Sequence, residues 1–125
     1  MTTTTFAESA VTLDTAALEG SWRNTNDASR GIPRIDIAKG DPLTIHAWGA
    51  GGHDWGSVSA PVFTDSIDSR DGMAFSAVFD LGYADVHMQA NIKGGVLVVA
   101  TFNRIKDDSG RSSYFMREFY WRTNR

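Results

Sequence analysis

The sequence predicts an all-β protein, a single eight-stranded antiparallel up-and-down β-barrel with a short N-terminal tail or helical lid. Two observations carry this prediction. Apolar and polar residues alternate along most of the chain after residue 17, and turn-forming clusters interrupt the alternation about every ten residues. The links between successive strands are also short, which favours a meander that removes its unpaired edges by closing into a barrel.

The 125 residues suit one domain, with a barrel at residues 17–125 and a tail at residues 1–16. Glycine-containing turns such as "AKGDP" and "KGG" separate the strands, because glycine supplies the positive φ of tight hairpins. In the tail, "DTAALEG" favours one turn of helix. The predicted strands are Leu18–Asn24, Pro33–Ala38, Leu43–Trp48, Gly56–Phe63, Met73–Leu81, Ala84–Ile92, Val96–Ile105 and Ser113–Arg122.

Strand parity sorts the side chains between the inside and the outside of the barrel. In the second, third and sixth predicted strands one face is apolar and the other polar, so the apolar faces are expected to point inward. His46 and His87 then point outward. The seventh strand, "VLVVATF", is apolar on both faces and the fifth is mixed, so a partner subunit could cover one of them in a homo-oligomer.

Composition excludes several classes of protein. The formal net charge of −3 argues against a nucleic-acid surface or an anionic membrane as the main partner. With no cysteine, the chain has no disulfide, thiolate metal site or cysteine nucleophile, which favours the cytoplasm. The first positive charge is Arg23 and no long apolar run precedes it, so we expect no signal peptide.

Trp22 and Arg122 are expected to plug one end of the barrel. Trp22 belongs to the Gly-x-Trp step of "LEGSWRNTN" on the first strand, and Arg122 lies near the end of the last strand. If these strands pair, the guanidinium can stack on the indole, a contact of about 0.5–2 kcal/mol. Gly20 would let the chain pass close to the ring.

These two strands resemble the opening and closing strands of calycin-like barrels, the group of avidin-like and lipocalin-like proteins. "GSWRN" and "EFYWR" are most similar to the avidin and streptavidin pattern, which implies that Asn24 and Glu118 face a ligand in the lumen. The third strand, "LTIHAWG", lacks the tyrosine-serine pair of that pattern, so biotin is not the expected ligand. The span from Leu18 to Trp121 is also similar to a domain of uncharacterised bacterial proteins, which implies no particular activity.

The last strand carries most of the candidate ligand-binding residues on one face. A carboxyl group among aromatic and apolar side chains suits Glu118 to anchor a ligand or to act as a catalytic acid or base. Glu118 could instead pair with Arg117, Arg104 or a tyrosine hydroxyl, or point outward, and Asn24 could be a turn residue. The candidate ligand-binding residues are Asn24, Tyr114, Met116, Glu118 and Tyr120.

Other chemistry has little support in the sequence. His46, His53 and Asp54 are ligand types for zinc or iron, but their spacing matches no short metal motif, because the first is mid-strand and the others lie in a glycine-rich loop. "DDSGR" lacks the ligand-rich loop of a calcium site, and no serine lies in a nucleophile elbow. We therefore expect no metal and no cofactor.

Three functions stay open. The first is a non-catalytic barrel that holds a small, mostly apolar molecule in its lumen. The second is a small cyclase or isomerase that uses the same lumen, with Glu118 moving a proton. The third is a surface-recognition protein, a lectin or an inhibitor, that uses exposed aromatic residues; these same residues could form an oligomer contact instead. The surface aromatic candidates are Trp48, Trp55 and Trp121.

Overall fold

The structure is a computed structural model that describes residues 12–40 and 42–123. In this part of the chain the only helical element is a 3₁₀ turn, Ala50–Gly52, and no helix is long and apolar enough to cross a membrane. The strands are β1 (Gly20–Asn24), β2 (Arg34–Ala38), β3 (Leu43–Trp48), β4 (Asp54–Ala60), β5 (Val62–Thr64), β6 (Gly72–Asp80), β7 (Ala84–Lys93), β8 (Val96–Ile105) and β9 (Tyr114–Arg122).

All strands belong to one antiparallel sheet, in the order β4-β3-β2-β1-β9-β8-β7-β6-β5. The predicted pairing of the first and last strands is confirmed, because β1 pairs with β9. At the two ends of this order, β4 and β5 follow each other in the chain, and β4 also packs against β6. The sheet is therefore a nearly closed up-and-down barrel, as the sequence predicts.

The predicted count of eight strands is wrong, because the segment Gly56–Phe63 is divided between β4 and β5 at Pro61. Proline has no N–H to donate to a ladder, so it interrupts the strand. β4 pairs with β3, whereas β5 pairs with β6, and the interruption lets one stretch of chain join the two sides of the sheet.

The described part of the predicted tail forms no helical lid. Residues 16–18 form a turn, and Asp14 makes an isolated parallel bridge with Asp71 in the loop between β5 and β6. Backbone hydrogen bonds from Asp14 to Arg70 and from Gly72 to Asp14 fix this segment against the barrel. The rest of the predicted tail, residues 1–11, lies outside the described residues.

Side chains fill the interior of the barrel. The predicted parity is confirmed in β2, β3 and β7, whose apolar residues alternate with more exposed polar ones. His87 is exposed and His46 is half-buried on the outer face. The largest fully buried side chains are Trp22, Tyr120, Phe75, Phe79, Leu18, Ile35, Leu43, Ile45, Met88 and Leu97.

The barrel has two different ends. The plugged end is where β1 begins, and Trp22, which is 1% exposed, closes it. The Trp22 Nε1–H donates to the Leu18 carbonyl at 2.9 Å, and the Arg122 guanidinium lies 4.8 Å from the centroid of the ring. Arg122 also donates to the carbonyls of Ala16 and Ala17. The open end is formed by the four loops at residues 25–33, 49–53, 81–83 and 106–113.

Candidate functional site

The candidate site is a cleft of about 420 Å³ at the open end of the barrel. Three of the four loops at this end contribute to it, together with the neighbouring ends of β4, β8 and β9. Antiparallel strands bring distant parts of the chain to the same end of a barrel, so residues between 30 and 116 meet here. The cleft has a polar floor, an apolar wall and a polar rim.

The floor is made by Thr101 and Asn103, which are inward-facing residues of β8 and only 6% and 7% exposed. The Asn103 Nδ2 group donates to the Thr101 hydroxyl at 3.2 Å and lies 3.4 Å from the carbonyl oxygens of Thr101 and Tyr114. No hydrogen bond within the described residues uses the Asn103 Oδ1 or the Thr101 hydroxyl proton. The floor thus offers one acceptor and one donor side by side.

The apolar wall consists of Ile32, Trp55, Leu81 and Met116. Ile32 is 4% exposed and belongs to the hydrophobic core, although it lies in a loop. Trp55 packs at a tilt against Phe79, with ring centroids 5.7 Å apart.

The Trp55 indole packs directly against the backbone of Gly49, where a side chain would not fit. A Cβ at position 49 would lie 2.5 Å from the Trp55 Nε1, which is closer than real Cβ contacts allow. Any larger residue at this position would push the indole aside, so Gly49 determines where the aromatic wall stands.

The rim carries the polar side chains of Arg30, His53, Asp54, Tyr83 and Tyr114, all of them exposed. The Arg30 guanidinium makes no ion pair with another described residue. Arg111 lies over the Tyr83 ring at 5.2 Å and orders that side of the opening.

Asp54 lies at the rim of the cleft and also contacts His46 on the outer face of the barrel. Its Oδ1 accepts a hydrogen bond from the Gly56 N–H at 2.7 Å and lies 2.6 Å from the His46 Nε2. The Gly56 N–H and then His46 hold the pKa of Asp54 below its usual range. The His46 ring in turn stacks on Trp48, with centroids 3.9 Å apart. This carboxylate is therefore engaged in ordering the β3–β4 turn.

Glu118 is engaged by the 25–33 loop, which folds over the inner face of β9. Its carboxylate accepts a hydrogen bond from the Ser29 hydroxyl, and the Ser29 Oγ accepts one from the Gly31 N–H at 2.9 Å. The loop approaches so closely that a Cβ at Gly31 would lie 2.5 Å from the Glu118 Oε1 and 3.1 Å from the Met116 Cε. Glu118 thus holds the loop and does not line the cleft.

Tyr120 and Asn24 hold the same loop from below. The Tyr120 hydroxyl donates to the Ile32 carbonyl at 2.6 Å, and the Asn24 Nδ2 donates to the same oxygen at 3.1 Å. Asn24 also accepts a hydrogen bond from the Asn26 N–H at 2.8 Å. Burial, and then the nearby negative charge of Glu118, raise the pKa of Tyr120 above its usual range, so its hydroxyl stays a donor.

The five candidate ligand-binding residues from the sequence therefore fall into two groups in the structure. Tyr114 and Met116 line the cleft, whereas Asn24, Glu118 and Tyr120 bind the loop that forms one of its sides. Sequence reasoning missed Thr101 and Asn103. The signal was present in "VLVVATFNRI", where two polar residues continue the inward parity of two buried apolar ones.

Within residues 12–40 and 42–123, no group of three His, Asp or Glu side chains converges in a way that could hold a metal ion. No protein-family model, curated protein or solved structure matches this chain.

Proposed function

We propose that this protein is a small-molecule-binding barrel whose ligand occupies the cleft at the open end. The observation that carries the proposal is the pair formed by Thr101 and Asn103, which are more than nine-tenths buried at the floor of the cleft. No described side-chain N or O atom is both buried and without a hydrogen-bond partner, so water in the cleft reaches the free acceptor and donor of this pair. A ligand group that bonds to both replaces that water without loss of hydrogen bonds.

The pair selects a chemical class of ligand. A carboxamide or a lactam has a C=O that accepts from the Thr101 hydroxyl and an N–H that donates to the Asn103 Oδ1. The apolar wall then suits a ring or a short hydrocarbon body, with the flat face of Trp55 as one contact. A molecule with one such polar end and an apolar body fits the cleft better than a wholly apolar one.

The position of the ligand follows from what fills the barrel. Trp22, Phe75, Phe79 and Tyr120 occupy the interior beneath the cleft, so the proposed ligand sits at the mouth and not along the lumen. We further propose that the chain is calycin-like, with the avidin-like pairing of Trp22 and Arg122 at the plugged end as the supporting feature.

The test uses benzamide as the probe and backbone amide NMR shifts as the readout. We expect saturable shift changes at Thr101, Asn103 and Trp55, at concentrations of about 1–10 mM because fragments of this size bind weakly. Toluene, which lacks the amide, should bind at least ten times more weakly, since about 1.4 kcal/mol corresponds to tenfold.

Matched variants make the test specific. Asn103→Leu removes the floor acceptor with little change of volume, and Asn91→Leu makes the same change at an exposed position on the outer face of β7. Loss of benzamide binding in the first variant alone supports the proposal. Binding that is equal in both variants, or shifts that lie outside the cleft, would contradict it. Native mass spectrometry of freshly purified protein then identifies any retained natural ligand.

A further inference from the structure

The outer face of β8 and β9 carries four of the nine exposed large hydrophobic residues in the described part of the chain. This β8–β9 face carries Arg117 among apolar residues, and the exposed Arg104 borders it near the end of β8. The outer face of the adjacent β7 is polar at every position. The aromatic members are 46–58% exposed, and the Phe102 and Phe115 rings touch with centroids 5.0 Å apart. The residues of the β8–β9 face are Val96, Val98, Ala100, Phe102, Phe115, Arg117, Phe119 and Trp121.

The area of this face is large enough for a stable dimer. An aromatic side chain has about 150–250 Å² to bury, so the four half-exposed aromatic residues offer about 400 Å² per copy. Two copies would bury about 800 Å² through these rings alone, and the aliphatic neighbours bring the total above the roughly 1,000 Å² of a specific interface. A patch of about 400 Å² is as large as the largest apolar patch of a typical monomeric protein, and such patches are often functional.

The face is also complementary to itself. Register pairs Trp121 with Val96, Phe119 with Val98, Arg117 with Ala100 and Phe115 with Phe102, so β9 carries the large side chains and β8 mostly the small ones. A two-fold axis along the strands would lay β9 of one copy over β8 of the other. Trp121, Phe119 and Arg117 would then each meet a smaller side chain, and Phe115 would meet Phe102. Two sheets packed face to face keep their strands within about 30° of each other, which suits this arrangement.

Polar and charged side chains have defined positions in such a contact. In this arrangement the two Arg117 side chains lie on opposite sides of the axis, each with its stem over Ala100 of the second copy. The next strand on that side presents Gln89, which is the register partner of Ala100, to the guanidinium. The polar residues of β7 and the outward Arg23 of β1 then form the rim of the interface. There, register brings Arg23 of one copy across from Lys93 of the other, and solvent and salt at the rim screen these two like charges.

We propose that two copies of this chain form a symmetric homodimer through the β8–β9 face, with β9 of each copy packed on β8 of the other. Both clefts stay accessible, because the open end lies at the ends of the strands and the interface lies on their outer side. The dimer is therefore independent of the proposed ligand site, and each can fail without the other.

Light scattering at about 50 μM protein tests the dimer, a concentration that detects micromolar association. We expect 27.4 kDa, twice the 13.7 kDa of one chain, for the wild type. Phe119→Glu places an unpaired charge in the interface and should weaken association at least about 100-fold. Phe63→Glu makes the same change at a residue of similar exposure, 51% against 46%, outside the face and should stay dimeric.

Each outcome is decisive. A monomeric wild type, a dimeric Phe119→Glu variant or a monomeric Phe63→Glu variant overturns the proposal. Circular dichroism and an unchanged benzamide titration show that Phe119→Glu is folded, which separates loss of the dimer from loss of the ligand site.

A charge-pair experiment tests the arrangement of the two sheets. Val98→Glu and Phe119→Lys should each be monomeric alone. A mixture of the two should form a dimer of mixed composition, because the carboxylate introduced into one chain faces the ammonium group introduced into the other. The second contact in that dimer is the native pair of Phe119 and Val98. A mixture that stays monomeric overturns the packing of β9 on β8.

Discussion

The plugged end and the open end of the barrel are closed by different kinds of contact. At the plugged end, one large ring fills the space between the strands, and the Arg122 guanidinium and the Leu18 carbonyl satisfy its face and its N–H. At the open end, hydrogen bonds from Tyr120, Asn24 and Ser29 hold the 25–33 loop. The ring fills the interior at its own end, whereas the loop leaves a cleft that reaches the buried Thr101 and Asn103.

This difference separates stability from binding. Burial of apolar area is the larger free-energy contribution in a small barrel, and hydrogen bonds contribute less because they replace bonds to water. We therefore expect substitutions at the plugged end to lower the free energy of unfolding strongly. Substitutions at the open end should lower it less and should change the shape of the cleft.

Trp22→Ala should have the largest effect on stability. It removes a fully buried ring, its hydrogen bond to Leu18 and its contact with Arg122, and should lower the free energy of unfolding by about 3–5 kcal/mol. Urea unfolding followed by circular dichroism measures this change. Phe63→Ala, at a half-exposed residue, is the control and should change it by less than about 0.5 kcal/mol. A loss below about 1 kcal/mol for Trp22→Ala would show that the ring is not the main support of this end.

Gly31→Ala should have an intermediate effect, confined to the open end. Its Cβ would collide with the Glu118 carboxylate and the end of Met116, which costs about 1–3 kcal/mol when neighbours must move. Amide NMR shifts should change along the 25–33 loop and at Met116, and the Trp22 indole signal should stay in place. Asp27→Ala, at an exposed residue of the same loop, serves as the control. Shifts spread over both ends would contradict the separation of the two ends.

Tyr120→Phe removes one of two donors to the Ile32 carbonyl and should lower the free energy of unfolding by about 0.5–1.5 kcal/mol. The pKa of Tyr120 is raised by folding, so its contribution is fully present below pH 10.0 and falls as the pH rises further. Unfolding measured between neutral and alkaline pH should show a smaller loss in Tyr120→Phe than in the wild type. Part of the loss remains, because hydrogen bonds to Asp85 and Asp80 also raise the pKa of Lys106. Tyr114→Phe, at an exposed ring, should keep the wild-type pH dependence.

His46→Phe should have the smallest effect, on one carboxyl group. The pKa of Asp54 is lowered by folding, so its contribution is present above its unfolded value of 3.8 and is lost as the pH falls through the lower folded value. Carbon NMR should find the Asp54 midpoint below 3.8. In His46→Phe it should rise but stay below the unfolded value, because the Gly56 N–H is the larger cause. An unchanged midpoint would show that His46 does not act on this group.

Strand parity could be predicted from the sequence because it depends on neighbours two residues apart. The same local pattern indicated the outward position of His87. The pairing of Trp22 with Arg122 followed from the short links between strands, which favour a closed barrel. Pro61 could also have been recognised as a strand break, since the missing N–H of proline is a local property. Adding it to the alternation would have predicted the ninth strand.

The cleft could not be predicted in the same way. Ile32 is buried because Tyr120, 88 residues away, donates to its carbonyl, and no local pattern indicates a loop that folds into the barrel. Glu118 has the right parity to face a ligand, but its carboxylate accepts a hydrogen bond from the Ser29 hydroxyl of the loop instead. Such long-range contacts decide which inward polar groups stay free, and at the floor of the cleft they left Thr101 and Asn103 without full sets of partners.

The pairing of β1 with β9 has a mechanical consequence. Gly20 lies beside Arg122 at the same end of adjacent antiparallel strands, and the Thr123 N–H donates to the Ser21 carbonyl there. A pulling force applied through residues 18 and 123 would therefore load the hydrogen bonds between these strands one after another, and not all together. The two strands should therefore separate at low force, one hydrogen bond at a time. The packing of the Trp22 ring is the first large contact that must break as they separate.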